Sequence, residues 1–164
     1  AEATETRANT WCSSISASNA EAIPQLYDDY KNASEQLRQS IDSQCPKRVT
    51  TAVFMTTYTP DEIVKVTGEC TRNADGTVVT CSGTAELYRD KADTLTSFSN
   101  TTVVLTIEFS TDETRQNVTH VDKDVVTLTV PTDGNKLDYT FDVPYDAAWG
   151  AFYKITPQSF FPNE

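Results

Sequence analysis

Apolar positions in this chain follow two periods, and the change falls near Pro46. From Asn19 to Ser43, the residues Ile23, Leu26, Tyr27, Tyr30, Ala33, Leu37 and Ile41 recur at the 3.6-residue spacing of one helix face. Asp28, Asp29, Asn32, Glu35, Gln36 and Gln39 fall mostly off that stripe. Pro24 suits a first turn, where its missing N–H costs least, and Pro46 after Cys45 is a stop signal. The pattern predicts one long helix over residues 19–43. Residues 1–9 are polar and are expected to fray, while Trp11 and Ile15 flank Cys12 and predict a docked segment after them.

Beyond Pro46 the period changes to two. Arg48 to Tyr58 is β-branched and aromatic, with Val53 and Met55 on one face and Phe54 and Tyr58 on the other. That composition predicts a strand covered on both sides. Alternating runs over 63–72 and 77–89 flank Asp75-Gly76, a type I′ hairpin signal. A two-residue turn there sets Cys70 opposite Cys81, Val66 opposite Ala85 and Val64 opposite Leu87. A type I turn over Asn73–Gly76 with a glycine bulge shifts every pair by one. Cys70 then faces Thr80 and Val66 faces Thr84, apolar against polar, so the first register is the expected one.

Val103, Leu105, Ile107 and Phe109 alternate with Thr102, Thr106, Glu108 and Ser110 as a further strand, and residues 115–122 read as an edge strand. A second Asp-Gly, Asp133-Gly134, sets Val130 opposite Leu137, Leu128 opposite Tyr139 and Val126 opposite Phe141. It predicts a second hairpin. The tail, 144–164, is aromatic, and 152–155 reads as a last strand. Its rings either close a core or line a ligand mouth, which makes Trp149, Phe152 and Tyr153 the candidate ligand or partner contacts. The fold class expected is α+β in a single domain over 1–164. One long N-terminal helix packs on a twisted antiparallel β-meander of six to eight strands spanning 48–143, with closure toward an up-and-down barrel as the competing architecture.

Composition sharpens this picture at the cysteines. The 164 residues contain four Cys and one His with no metal-type spacing, so two disulfides in an oxidising compartment are expected. If Cys70 pairs with Cys81, Cys12 pairs with Cys45 by elimination. By loop length these bridges are worth roughly 3 and 4 kcal/mol. The opening Ala1-Glu2-Ala3-Thr4 looks like a mature end after cleavage, and the expected location is secreted, extracellular or cell-surface. No apolar run predicts a membrane span. Net charge is −11, which disfavours nucleic acid as a partner. Sequons at Asn32, Asn100 and Asn117 are candidate N-glycosylation sites.

Candidate chemistry changes little. His120 alone would have to serve any nucleophilic triad, no G-x-S-x-G elbow is present, and the cysteines are committed to bridges. The acidic pairs Asp112-Glu113 and Asp122-Lys123-Asp124 match no calcium-loop pattern. No metal, cofactor or catalytic residue is expected. Val64-Lys65-Val66-Thr67-Gly68 resembles the Q-x-V-x-G loop of cystatin protease inhibitors, but Val64 stands in place of Gln and the segment falls mid-strand, so inhibition is not carried over. The expectation is a non-catalytic binding or interaction protein with an unknown protein partner. Carriage of a small apolar ligand and self-assembly as an extracellular structural subunit are the alternatives, and a carboxylate hydrolase is the weakest.

Overall fold

A computed structural model describes residues 2–164. The chain forms two compact units, the first ending at Thr59 and the second beginning at Pro60.

The first unit is helical. α1 spans Glu2–Ser14, a 3-10 turn spans Ala17–Ala22, and α2 (Ile23–Lys31), α3 (Glu35–Gln44) and α4 (Pro46–Thr57) follow. The segment expected to fray is therefore helical from Glu2. Its docking stripe is Ala8, Trp11, Cys12 and Ile15, all buried at helical spacing. The long helix of 19–43 is also corrected, because the chain breaks at Asn32–Ser34. Ser34 is extended (φ −60°, ψ 155°) and its Oγ accepts from the Leu37 N–H, which starts a new helix. Tyr30 and Asp42 would lie about 18 Å apart along one continuous helix. Their side chains instead meet at 2.6 Å, so α2 and α3 fold back on each other.

The predicted strand over 48–58 is a helix, α4. Pro46, at its first turn, both ends α3 and starts α4. Thr50 and Thr51 return their hydroxyls to the carbonyls of Pro46 and Lys47, and Thr51, Ala52 and Phe54 are buried. Burial outweighs the helix penalty of the β-branched residues, which is only tenths of a kcal/mol each. Cys12 and Cys45 are bridged with Cα atoms 6.0 Å apart, and the Arg48 guanidinium donates to the Cys12 carbonyl.

The second unit holds two short helices, α5 (Pro60–Ile63) and α6 (Arg89–Thr94), and six strands: β1 Val64–Arg72, β2 Val78–Leu87, β3 Asn100–Ser110, β4 Val118–Val130, β5 Leu137–Pro144 and β6 Phe152–Asn163. The class is mixed α+β. The strands form two three-stranded antiparallel sheets, ordered β1-β2-β5 and β4-β3-β6, and do not close into a barrel. The expected meander is corrected with them. β2 pairs with β5 and β3 with β6, partners that are not consecutive in the chain.

The first hairpin has the expected register: Cys70 opposite Cys81, Val66 opposite Ala85, Val64 opposite Leu87. Cys70 and Cys81 are bridged at a Cα separation of 4.0 Å. The turn is of the other type. Gly76 N–H donates to the Asn73 carbonyl, Asn73 N–H to the Val78 carbonyl, and Gly76 has φ +69° while Asp75 does not adopt positive φ. A four-residue loop centred on the same bond as a two-residue one leaves the register unchanged, and Asn73 Oδ1 locks it by accepting from the N–H groups of Thr77 and Val78.

The second hairpin does not form. β4 pairs with β3 and β5 with β2, so Asp133-Gly134 carries the chain from one sheet to the other. The strands bury four of the six residues matched by parity, Leu128, Val130, Tyr139 and Phe141, and half-bury Val126 and Leu137. Apolar parity reports which face is buried, and two strands in different sheets satisfy it as well as two partners do. The edge strand expected over 115–122 begins only at Val118, residues 115–117 being loop, and it joins the run of 125–130 in one strand, β4, interrupted by a register shift at which Asp124 takes φ +57°. Buried threonines are satisfied: Thr101 donates to the Val130 carbonyl at 2.9 Å and Thr132 to the Phe98 carbonyl at 2.9 Å.

Candidate binding groove

The aromatic tail is divided by the fold. After the 3-10 turn Ala147–Trp149, Gly150 takes φ +102° and the chain enters β6. Trp149 faces one side: its indole stacks on the His120 ring at 3.6 Å and 6°, with Phe109 at 5.7 Å and Tyr145 edge-on at 6.1 Å. His120 Nε2 lies 3.1 Å from Asp122 Oδ1 on the same face of β4. Arg72 stands over the Tyr145 ring at 5.3 Å. These groups brace a corner, although Asp122 Oδ2 is buried there without a hydrogen-bond partner among the described residues.

Phe152 and Tyr153 lie elsewhere, in a groove of about 540 Å³ where the edge of β6 faces the edge of β1. Val66 and Gly68 line it from β1, and Ile155 and Lys154 from β6, with Glu108 and Arg115 also at its walls. Of the three candidate contact residues, the structure thus brings Phe152 and Tyr153 together and sets Trp149 apart.

The direction of the backbone at this groove follows from three observations. Cys70 N–H donates to the Tyr153 hydroxyl at 3.0 Å, so it points away from β2. The short Cα distance between Cys70 and Cys81 is that of a pair which exchanges no ladder hydrogen bonds. Backbone groups alternate along a strand, so Val66 and Gly68 direct theirs to the same open edge as Cys70. On β6, the Tyr153 carbonyl accepts from Arg115 Nε at 2.7 Å, pointing away from β3. Ile155 and Pro157 share that direction, and Pro157 has no N–H to leave unpaired there. Two sheet edges therefore face each other, tied at one end by Tyr153 and left without a strand partner along the groove.

Tyr139 stiffens the β1 side. Its ring crosses the glycine pair Gly83 and Gly68, and its hydroxyl donates to the Thr67 carbonyl at 2.7 Å. Burial, with the nearby Tyr153 adding, pushes its pKa up to about 12. A Cβ on Gly68 would lie 2.3 Å from that hydroxyl. The inner faces of the sheets are filled, with Cys81, Ala85, Leu105 and Ile107 fully buried.

Sequence reading missed Arg115, Gly68 and the opposition of two edges. Arg115 left no local signal, because its role depends on φ +59° in a loop and on a carbonyl 38 residues away. Among the described residues no group of three or more metal-ligating side chains occurs, and no helix is long and apolar enough to cross a membrane. No family model matches the chain, and a search of curated proteins finds no match either, so what the groove does is argued from its own geometry.

Proposed function

We propose that the chain is a secreted, non-catalytic interaction module whose β unit takes an extended segment of a partner into the groove between β1 and β6. The observation that carries this reading is the pair of open strand edges facing each other over a groove whose lining mixes apolar side chains with the charged Glu108, Arg115 and Lys154. An extended segment entering there meets backbone donors and acceptors of Val66 and Gly68 on one side and of Ile155 on the other, which is how strand addition gains affinity. Val66, Phe152 and Ile155 supply contacts for its alternate side chains. Arg115 and Lys154 stand at the groove against one carboxylate, Glu108 opposite Lys154, and the remaining positive charge favours an acidic residue in the partner. The two disulfides fit an oxidising compartment. Carriage of a small apolar ligand between the sheets is the weaker alternative, because side chains occupy that space.

The test is selection of random linear peptides on the native, oxidised protein, followed by hydrogen-exchange mapping. Binders are expected to protect the amides of Val66, Gly68 and Ile155, and Val66→Glu is expected to abolish binding with the circular dichroism spectrum unchanged. Failure to select a binder, or protection confined to other strands, rejects the reading.

A further inference from the structure

The three sequons fall into three different environments. Asn100 is half-buried at the start of central strand β3. Its Oδ1 accepts from Asn163 Nδ2 at 2.8 Å, and the same nitrogen donates to the hydroxyl of Thr102, the third residue of that sequon, at 2.9 Å. At Asn117 the amide nitrogen, the atom that would carry a sugar, donates to Thr111 Oγ1 at 2.9 Å. Asn32 is exposed in the break between α2 and α3, and among the described residues its side-chain amide makes no hydrogen bond.

Asn32 and Ala33 also border a groove of about 530 Å³ within the helical unit. Trp11 and Tyr30 stand in its wall with ring centroids 5.6 Å apart, beside Leu26 and Leu37. The polar ends of both rings are already used: Trp11 Nε1 donates to the Leu26 carbonyl at 2.7 Å and the Tyr30 hydroxyl to Asp42 at 2.6 Å. What remains for the groove is the half-exposed Tyr30 ring, the aliphatic surface of Leu26 and a narrow strip of the nearly buried Trp11 ring, with Arg7, Thr10, Ser14 and the Asp29 carboxylate at its margin. An apolar wall with a few polar groups at its margin suits the apolar face of a hexosamine and its acetamide methyl. A sugar joined to Asn32 starts at the margin of that wall.

We propose that Asn32 carries an N-linked glycan whose first N-acetylglucosamine seats against Trp11 and Tyr30, and that Asn100 carries none. In the transfer, Asn32 Nδ2 bonds to the sugar C1 of a lipid-diphosphate-linked oligosaccharide. The C1–O bond to the diphosphate breaks, the diphosphate leaves with the electron pair, and the amide gives up one of its two protons. The remaining N–H and the carbonyl stay exposed at the helix break. At Asn100 the sugar would have to fit on a half-buried amide at the start of the central strand, beside the Asn163 amide that bonds both Asn100 Oδ1 and the Thr102 hydroxyl.

The experiment uses the full chain secreted from a glycosylating eukaryotic host. Enzymatic release of N-glycans in heavy-oxygen water, followed by peptide mass spectrometry, is expected to label position 32 and leave Asn100 unlabelled. Absence of label at 32, or label at 100 in folded protein, overturns the attachment. The seat is read separately from the indole N–H resonances of the two tryptophans before and after release under native conditions. They are assigned through Trp149→Phe or, where that variant does not fold, through contacts of the Trp11 ring to Leu26. The Trp11 signal is expected to shift and the Trp149 signal to stay. A Trp11 signal unmoved by release overturns the seat.

Discussion

The hydroxyl of Tyr139 reaches across two glycines to the carbonyl of Thr67, 2.7 Å away. The contact ties the third strand of its sheet to the first, over a middle strand that contributes only Gly83 at that row. Gly68→Ala places a methyl 2.3 Å from the hydroxyl and is expected to cost about 1–3 kcal/mol. Tyr139→Phe removes the donor and is expected to cost about 1–2 kcal/mol. The nearest clash and the bond share one atom, so the double variant should be more stable than the sum of the two losses implies, with the contact to Ile155 Cδ1 at 2.8 Å remaining in it. Urea unfolding of the three variants checks this.

Alkaline pH should expose the same contact. The Tyr139 pKa rises from 10.0 to about 12 by burial, and that of Tyr30 rises to about 12 chiefly through its hydrogen bond to Asp42. Both folded values lie above the unfolded one. The stability they represent is therefore complete below pH 10 and is lost as pH climbs through about 12. The urea midpoint is expected to fall over that interval, and less steeply in Tyr139→Phe. A midpoint equally steep in the variant would remove Tyr139 from the account.

At the acidic end, Asp112 behaves in the opposite sense. Hydrogen bonds from Thr114, then from the N–H groups of Asn117 and Gln116, hold its carboxyl below the usual range. Its contribution is present above the unfolded pKa and disappears as pH falls through the lower, folded value. Asp112→Asn should leave the loop before β4 disordered at neutral pH, seen as faster amide exchange at Gln116 and Asn117.

Ser34 has two separable jobs. In protein made without glycans, Ser34→Ala loses the cap on α3 and is expected to cost about 1 kcal/mol, whereas Ser34→Thr keeps most of it. Ser34→Ala also destroys the Asn32 sequon and Ser34→Thr preserves it, so comparing the pair from bacterial and glycosylating hosts separates the cap from the sugar.

What could be read from the residues beforehand follows from the range of each signal. The register of β1 and β2 was legible because turn, parity and cysteine positions are all local, and loops of two or four residues preserve it. The pairing of β5 with β2 was not, since apolar parity at Leu128 and Tyr139 records burial without naming the neighbour. The helix at 46–57 was hidden by its Val and Thr content, because what decides it is the fit of Ala52 and Phe54 into the helical core. The break at Asn32 was written in Ser34, yet the apolar stripe runs on across it and masks the cap. Within the candidate groove, Phe152 and Tyr153 were legible as exposed-tail aromatics, while Val66 and Gly68 acquire their place only when two sheets end side by side.

The two bridges also decide what a protease would leave behind. Cys12 and Cys45 both precede Thr59, and Cys70 and Cys81 both follow Pro60. Each loop is closed within its own unit, so backbone alone is the covalent link from one to the other. A single nick between Thr57 and Pro60 would yield two fragments, each retaining an intact cross-link, that run as separate bands on a denaturing gel without any reducing agent.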